Sequence, residues 1–181
     1  MEFLDVVKAR HSIRSYCGEE VSEAQIAQII ECARLAPSWA NKQCWSFIVV
    51  RDGGKIKSLA KAAGMSNRWI GDAPVIIVCC ADPKSSGTRS GIAYFTVDAA
   101  IAMEHLILAA AEQGLGTCWI GYFDEDGVKK ALDIPDGMRV VAMTPVGHPA
   151  DRMTLRERIT KWITKSKNRK SMDEILHQDT W

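Results

Sequence analysis

The chain has 181 residues, 47% apolar and 25% charged, enough to bury one hydrophobic core and too apolar for a disordered chain. A formal net charge of +1 excludes a chain-wide electrostatic footprint for nucleic acid or an anionic membrane surface. The N-terminus carries Glu2 and Asp5 and no long apolar run, so it does not read as a secretory signal.

In chain order, residues 2–9 read as a short helix with Phe3, Leu4, Val6 and Val7 as its apolar side. Ser22 is an N-cap candidate with Gln25 in capping-box position, and Ile26, Ile29, Ile30 and Ala33 keep helical spacing until Pro37. The loop Pro37–Gln43 follows, then a strand over Trp45–Val50 closed by a turn at Asp52-Gly53-Gly54. Lys55–Ala63 reads as a helix. Val75–Cys80 is an unbroken apolar run, as expected of a strand covered on both faces. Asp82–Gly91 is polar and rich in Gly and Ser, and is expected to be a mobile loop.

Tyr94–Gln113 is the longest helical stretch and is apolar nearly all round, about 30 Å at the helical rise. Asp98, Glu104 and His105 near its middle argue against a membrane span, because each charge would cost about 2.5–3.5 kcal/mol on insertion scales. A helix buried in a domain or a subunit interface is expected instead, with its alanines allowing close approach. Gly114–Gly116 ends it. A strand over Thr117–Ile120, a helix over Asp124–Leu132 and a strand over Arg139–Gly147 follow, and the tail from Arg156 to Trp181 is basic and then mildly amphipathic. The order is mixed α+β around a central sheet.

Four constellations have chemical potential. Arg10-His11-Ser12-Ile13-Arg14 offers two guanidiniums, an imidazole and a hydroxyl, a donor set suited to phosphate; a solvated basic turn explains the same spacing and is commoner. Pro37–Gln43 offers a hydroxyl, two amides and an ammonium, suited to a ligand with carbonyl and hydroxyl groups, or simply a capped polar loop. Gly114–Gly121 lies between helix and strand, so it is a poor dinucleotide fingerprint, although Gly121 would let backbone approach a planar ligand. Lys165, Lys167, Arg169 and Lys170 form a basic tail, solvated or closing on a phosphate. The four histidines are scattered, so no triad assembles around Cys44 or Cys118. The six cysteines form no CxxC pair and no metal-type spacing with histidine, and their apolar surroundings suit free thiols in a reducing, cytoplasmic setting.

Taken in order, these pieces resemble the nitroreductase family of FMN-dependent oxidoreductases. The resemblance is carried by Arg10–Arg14, by Ala36-Pro37-Ser38 with Asn41, Gln43 and Trp45, and by Trp69-Ile70 and Asp72-Ala73-Pro74. It continues through Asp98 and the alanine-rich helix, Gly114–Gly121, Pro145-Val146-Gly147, and Arg169-Lys170 with Ile175 and His177. It implies one α+β sandwich domain over residues 1–181, a mostly antiparallel sheet flanked by helices, in an intertwined homodimer with FMN at the subunit interface. The long helix, including Ala102, would then form the dimer core.

By the same resemblance Arg10, His11, Ser12 and Arg14 bind the phosphate and ribityl end of FMN. Pro37, Ser38, Trp39, Asn41 and Gln43 lie against the flavin from the other subunit, Ile120 and Gly121 bring backbone N–H groups to its N5 and O4, and Arg169 and Lys170 meet the phosphate. The implied activity is ping-pong electron transfer from NADH or NADPH to a nitroaromatic, quinone or similar small acceptor. A flavoprotein fed by a ferredoxin-like donor and a specialised flavin reaction such as dehalogenation are the alternatives. Two departures stand out: Cys44 occupies a position where the family commonly has proline, and 82–91 is too short for the helical excursion that covers the site in larger members.

Overall fold

The computed structural model describes residues 1–152, 154, 158–159, 162 and 168–181. These fall into two compact units, Met1–Asp151 and Arg152–Trp181, and each is described by itself.

The first unit contains helices α1 (Phe3–Ala9), α2 (Glu23–Arg34), α3 (Gly53–Ala62), α4 (Gly64–Asn67), α5 (Tyr94–Glu112) and α6 (Glu125–Leu132). Its strands are β1 (Trp45–Val50), β2 (Val75–Ala81), β3 (Thr88–Arg89), β4 (Ile92–Ala93), β5 (Gly116–Thr117) and β6 (Arg139–Gly147). Four of them form one antiparallel sheet in the order β1-β2-β6-β5. This is the α+β architecture expected from the order of elements.

All seven residues of β2 are buried, and strand alternation sends them into two cores. Val75, Ile77, Cys79 and Ala81 pack with Ile26 and Ile29 of α2 and with Met103 and Leu106 of α5. Ile76, Val78 and Cys80 pack on the opposite face with Ile56 and Leu59 of α3 and Val128 of α6. Glu125 ties α6 to the sheet. Its carboxylate takes a forked hydrogen bond from Arg139, at 2.9 Å from Nε and 3.0 Å from Nη2, and another from the Val140 N–H at 2.9 Å. The Arg139 hydrogen bond holds the Glu125 carboxyl below its ordinary range.

The capping box foreseen at the start of α2 is present: the Ser22 hydroxyl accepts from the Gln25 N–H, and the Gln25 side chain accepts from the Ser22 N–H. Four expectations need correction. The Asp52-Gly53-Gly54 segment is the start of α3 and not a turn, because the Asp52 carboxylate caps the Lys55 N–H at 2.7 Å. The strand over Thr117–Ile120 shrinks to β5 plus one bridge between Ile120 and Met143, since the Cys118 N–H donates to the Thr144 hydroxyl. Residues 82–91 are not a structureless loop: they form a short 3-10 turn, Pro83–Ser85, and most of the hairpin β3–β4. Ser90 and Gly91, both at positive φ, form its two-residue turn.

The fourth correction concerns α5. Ala102 is fully buried inside the chain's own core, beside Asp98, Ala99 and Leu106. The outward stripe of α5 is instead Val97, Ala100, Ile101, Glu104, Leu108 and Ala111, exposed or half-buried and apolar except for one carboxylate. By length and composition α5 alone among the described helices matches a membrane span, yet its inner face is the packing surface for α2 and the sheet.

In the second unit a 3-10 turn, Met172–Glu174, is closed by a capping box between Ser171 and Glu174, and the His177 and Trp181 rings meet at 4.8 Å. Lys165 and Lys167 lie outside the described residues.

Burial, and secondarily the charge of Glu125, pushes the Cys80 thiol from 9.0 up to about 11, and burial drives the neighbouring Cys79 thiol up as well. Both folded values lie above the unfolded one, so the stability these thiols contribute is complete below pH 9 and drains away as pH rises toward 11. The melting temperature is expected to fall across that window, and to fall less steeply in a Cys79→Ala/Cys80→Ala variant. Differential scanning fluorimetry at stepped pH measures both slopes.

Candidate functional site

Residues 10–16 leave α1 as an extended segment laid beside β5. Ser12 bridges Thr117 in parallel register, and the Ile13 N–H donates to the Thr117 carbonyl at 2.9 Å. Glycine at position 116 is what permits this approach: a Cβ there would stand 2.7 Å from the Ile13 Cβ. With Ile13 turned against Gly116, strand alternation puts Ser12 and Arg14 on the other side together. Arg10 and Ser12 line a cavity of about 330 Å³ with Thr117, Cys118, Trp119, Glu104 and Ile107. A smaller cavity of about 160 Å³ continues past Arg10 and His11 toward Gly114–Thr117. His11 is exposed, with Nδ1 2.8 Å from the Ala9 carbonyl.

Arg14 carries the most informative atom of the segment. Its Nη1 is buried and has no hydrogen-bond partner among the described residues. A buried guanidinium nitrogen left this way costs on the order of 1–3 kcal/mol or more, so an anionic acceptor reaching it would be stabilising; Arg51 Nη2 is in the same state, and Arg14 lines neither of the two cavities. Two arginines and a hydroxyl along one extended segment match a phosphate, and the half-exposed indole of Trp119 at the same cavity offers a face for a planar ring. The residues present therefore fit a phosphate-tailed aromatic cofactor.

The Pro37–Gln43 loop is a second construction, and it does not line the Arg10 cavity. Ala40, Asn41 and Gln43 all have positive φ, at 46°, 54° and 48°. Left-handed backbone at non-glycine residues costs roughly 1–3 kcal/mol each, and such strain gathers at binding sites. The loop is held by the Ser38 hydroxyl, which accepts from the Gln43 N–H at 2.9 Å, and by the Gln43 amide, which donates to the Asn41 side chain at 3.0 Å. Pro37 is exposed. The Trp39 ring lies over Gly87, where a Cβ would sit 2.7 Å from it, and stacks on Tyr94 at 6.0 Å.

Asp98 anchors this loop, a role that its place in the sequence does not mark. It is 1% exposed and accepts from the Trp39 N–H at 2.8 Å, from the Ser86 hydroxyl at 3.0 Å and from the Cys44 thiol at 3.6 Å. The available signal was a lone carboxylate in an otherwise apolar stretch of helix. Burial, and then the Asp98 carboxylate, pushes the Cys44 thiol up to about 11, and the thiol donates to Asp98.

Ile120 is buried, and its N–H donates to the Met143 carbonyl at 2.8 Å, which commits that group to the sheet. Gly121, next in sequence, is exposed; a Cβ there would meet the Trp119 indole nitrogen at 3.1 Å. The segment thus offers a ligand Gly121 and Trp119 rather than the Ile120 N–H. Arg169 and Lys170 are exposed in the second unit, with Arg169 Nη1 donating to the Asn168 carbonyl at 2.8 Å. Among the described residues no group of His, Cys, Asp and Glu is arranged for a metal ion.

An antiparallel α+β sandwich, with a paired-arginine segment against the strand that follows its long central helix, defines a class of fold. The family model described as Nitroreductase family matches residues 7–68 and 56–148. The chain is 34% identical over 86% of its length, and 90% of the relative's, to a provisionally named NADH dehydrogenase/NAD(P)H nitroreductase of Archaeoglobus fulgidus. It is 30% identical to an FMN reductase [NAD(P)H] of Bacillus subtilis, over 98% of this chain and 74% of that one. A solved nitroreductase family protein from Clostridium novyi NT superposes with a TM-score of 0.80 at 40% identity, covering 85% of this chain and 90% of its own. The chain belongs to the nitroreductase family.

The Gly116–Ile13 contact gives a direct test of how the Arg10–Arg14 segment is seated. Gly116→Ala is expected to cost about 1–3 kcal/mol through overpacking. Ile13→Ala in the same chain should recover much of that loss. Chemical unfolding of the two single variants and the double variant measures the coupling.

Proposed function

We propose that this chain is an FMN-dependent oxidoreductase that takes electrons from NADH or NADPH and passes them to a small acceptor of the nitroaromatic or quinone type, as a homodimer. The observation that carries the reading is the Arg10–Arg14 segment, with its cavity and the unpartnered Arg14 nitrogen, in a chain of this family. The names of the relatives, among them an FMN reductase [NAD(P)H], support the choice of cofactor and donor.

Bound FMN would supply hydride acceptance and donation, with donor and acceptor visiting the same exposed face in turn. The chain's part is to bind and orient. Arg10 and Arg14 neutralise the phosphate, while His11 and Ser12 add hydrogen bonds to that end. Gly121 presents backbone to the ring edge. Pro37, Ser38, Trp39, Asn41 and Gln43 face the flavin bound mainly by the other subunit. No side-chain acid or nucleophile is required, in keeping with a Cys44 thiol held in its protonated form. The six free thiols suit a reducing cytoplasm.

The dimer reading is supported by apolar surface in register with it. The outward stripe of α5 is apolar at Val97, Ala100, Ile101 and Leu108, and α1 leaves Phe3, Leu4 and Val7 exposed beside it. Surface of this kind is expected to be covered by a partner.

The purified protein is expected to bind FMN with flavin absorption that NADH or NADPH bleaches under anaerobic conditions. A colourless protein that takes up no added FMN overturns the reading, and failure of both nicotinamides to bleach bound FMN replaces the donor. Arg10→Ala should weaken FMN binding by about 1.5–3 kcal/mol, the value of a charge-assisted contact, measured by fluorescence titration. Ala100→Glu places a charge on the outward stripe without entering the core. It is expected to shift the protein from dimer to monomer in sedimentation velocity, and an intact dimer contradicts this interface.

A further inference from the structure

The loop over Pro37–Gln43 and the hairpin β3–β4 are far apart in sequence, yet both end on one carboxylate. Asp98 lies in the first turns of α5, 1% exposed, and its three donors come from two stretches far apart in sequence, 39–44 and Ser86. Trp39 N–H belongs to the loop, Cys44 precedes β1, and Ser86 precedes the hairpin. The Trp39 ring repeats the same link through van der Waals contact, over Gly87 on the hairpin side and against Tyr94 at the first residue of α5. The Tyr94 N–H donates to the Gly87 carbonyl at 2.9 Å, which closes the hairpin under the ring.

This arrangement is more than a satisfied buried carboxylate. The backbone it holds is left-handed at Ala40, Asn41 and Gln43, a conformation that non-glycine residues keep only when their surroundings over-determine it. The loop's internal hydrogen bonds fix its shape from Ser38 to Gln43. Among the described residues, the side-chain hydrogen bond that fastens that shape to the body of the protein is the one the Trp39 N–H donates to Asp98.

We infer that Asp98 is the positioning residue for this site: it locks the Pro37–Gln43 loop and the β3–β4 hairpin into one unit and so fixes the Trp39 ring as a preformed wall for the planar ring system bound there. The consequence for FMN rests on the flavin reading above, whereas the mechanical role of Asp98 does not. Removing the carboxylate leaves the Trp39 N–H without its acceptor and frees the strained loop to relax. The loop then has to be reordered each time the ligand binds, and affinity falls.

The test uses the full chain, free of FMN and loaded with it. In Asp98→Ala, hydrogen exchange at the Trp39 and Tyr94 amides is expected to quicken about tenfold or more while β2 and β6 remain protected. The FMN dissociation constant should rise by about tenfold, in the range of one lost hydrogen bond to a charged group. Asp98→Asn keeps one acceptor oxygen and is expected to restore Trp39 protection and most of the FMN affinity, a rescue that a general packing defect would not show.

Unchanged Trp39 exchange in a folded Asp98→Ala protein overturns the inference. So does an Asp98→Asn protein whose Trp39 amide is as labile as in Asp98→Ala. If Asp98→Ala does not fold, Asp98→Asn and Ser86→Ala decide: the first must keep Trp39 protected, and the second must quicken Tyr94 exchange alone. Failure of either removes the coupling. If FMN binds neither wild type nor variants, the flavin reading falls, and the exchange data still decide the role of Asp98.

Discussion

A strand with no exposed residue imposes the layout of this protein. β2 runs Val75–Ala81 through the middle of the sheet, and its alternate side chains enter two separate hydrophobic cores. Neither face can be left to water, so helices must cover both: α2 and α5 on one side, α3 and α6 on the other. The antiparallel pairing of β2 with β1 and β6 then fixes where each neighbouring strand ends. The site grows from those ends. β6 finishes beside β5, β5 receives the Arg10–Arg14 segment, and β1 begins where the Pro37–Gln43 loop stops.

α5 connects the two halves of that arrangement. Its inner face supplies Met103 and Leu106 to the core, its first turns supply Asp98 to the loop, and its outward stripe is the apolar surface proposed to meet a second subunit. One helix therefore sets core, loop and proposed interface together. That explains a sequence apolar nearly all round with a single buried carboxylate in its first half. Glu104 sits on the outward stripe and lines the Arg10 cavity, so the same helix also brings a negative group to the cationic site.

The site's chemistry is one of binding rather than bond-making by side chains. Its distinctive groups are donors: two arginines, a serine, an exposed glycine backbone and an indole. Cys44, beside the Pro37–Gln43 loop, donates its thiol hydrogen to Asp98. A protein of this kind contributes orientation and electrostatics and leaves the electron transfer to a cofactor.

Much of this was legible in the chain itself, where local physics decides. The capping box at Ser22 and Gln25 needs only neighbours in sequence, the apolar run of β2 announces burial on both faces, and the ordered motifs from Arg10 to Gly121 mark the family. What the sequence could not determine were features set by contacts between distant residues. Asp52 reads as a turn residue until its carboxylate is seen capping α3, and Thr117–Ile120 reads as a strand until Thr144 takes the Cys118 N–H. Ala102 and Ala100 are indistinguishable as letters, yet one faces the core and the other faces outward, because the rotation of α5 is fixed by α2 and the sheet. The role of Asp98 is of the same kind: a carboxylate in a helix has no assigned task until folding brings Trp39, Cys44 and Ser86 to it.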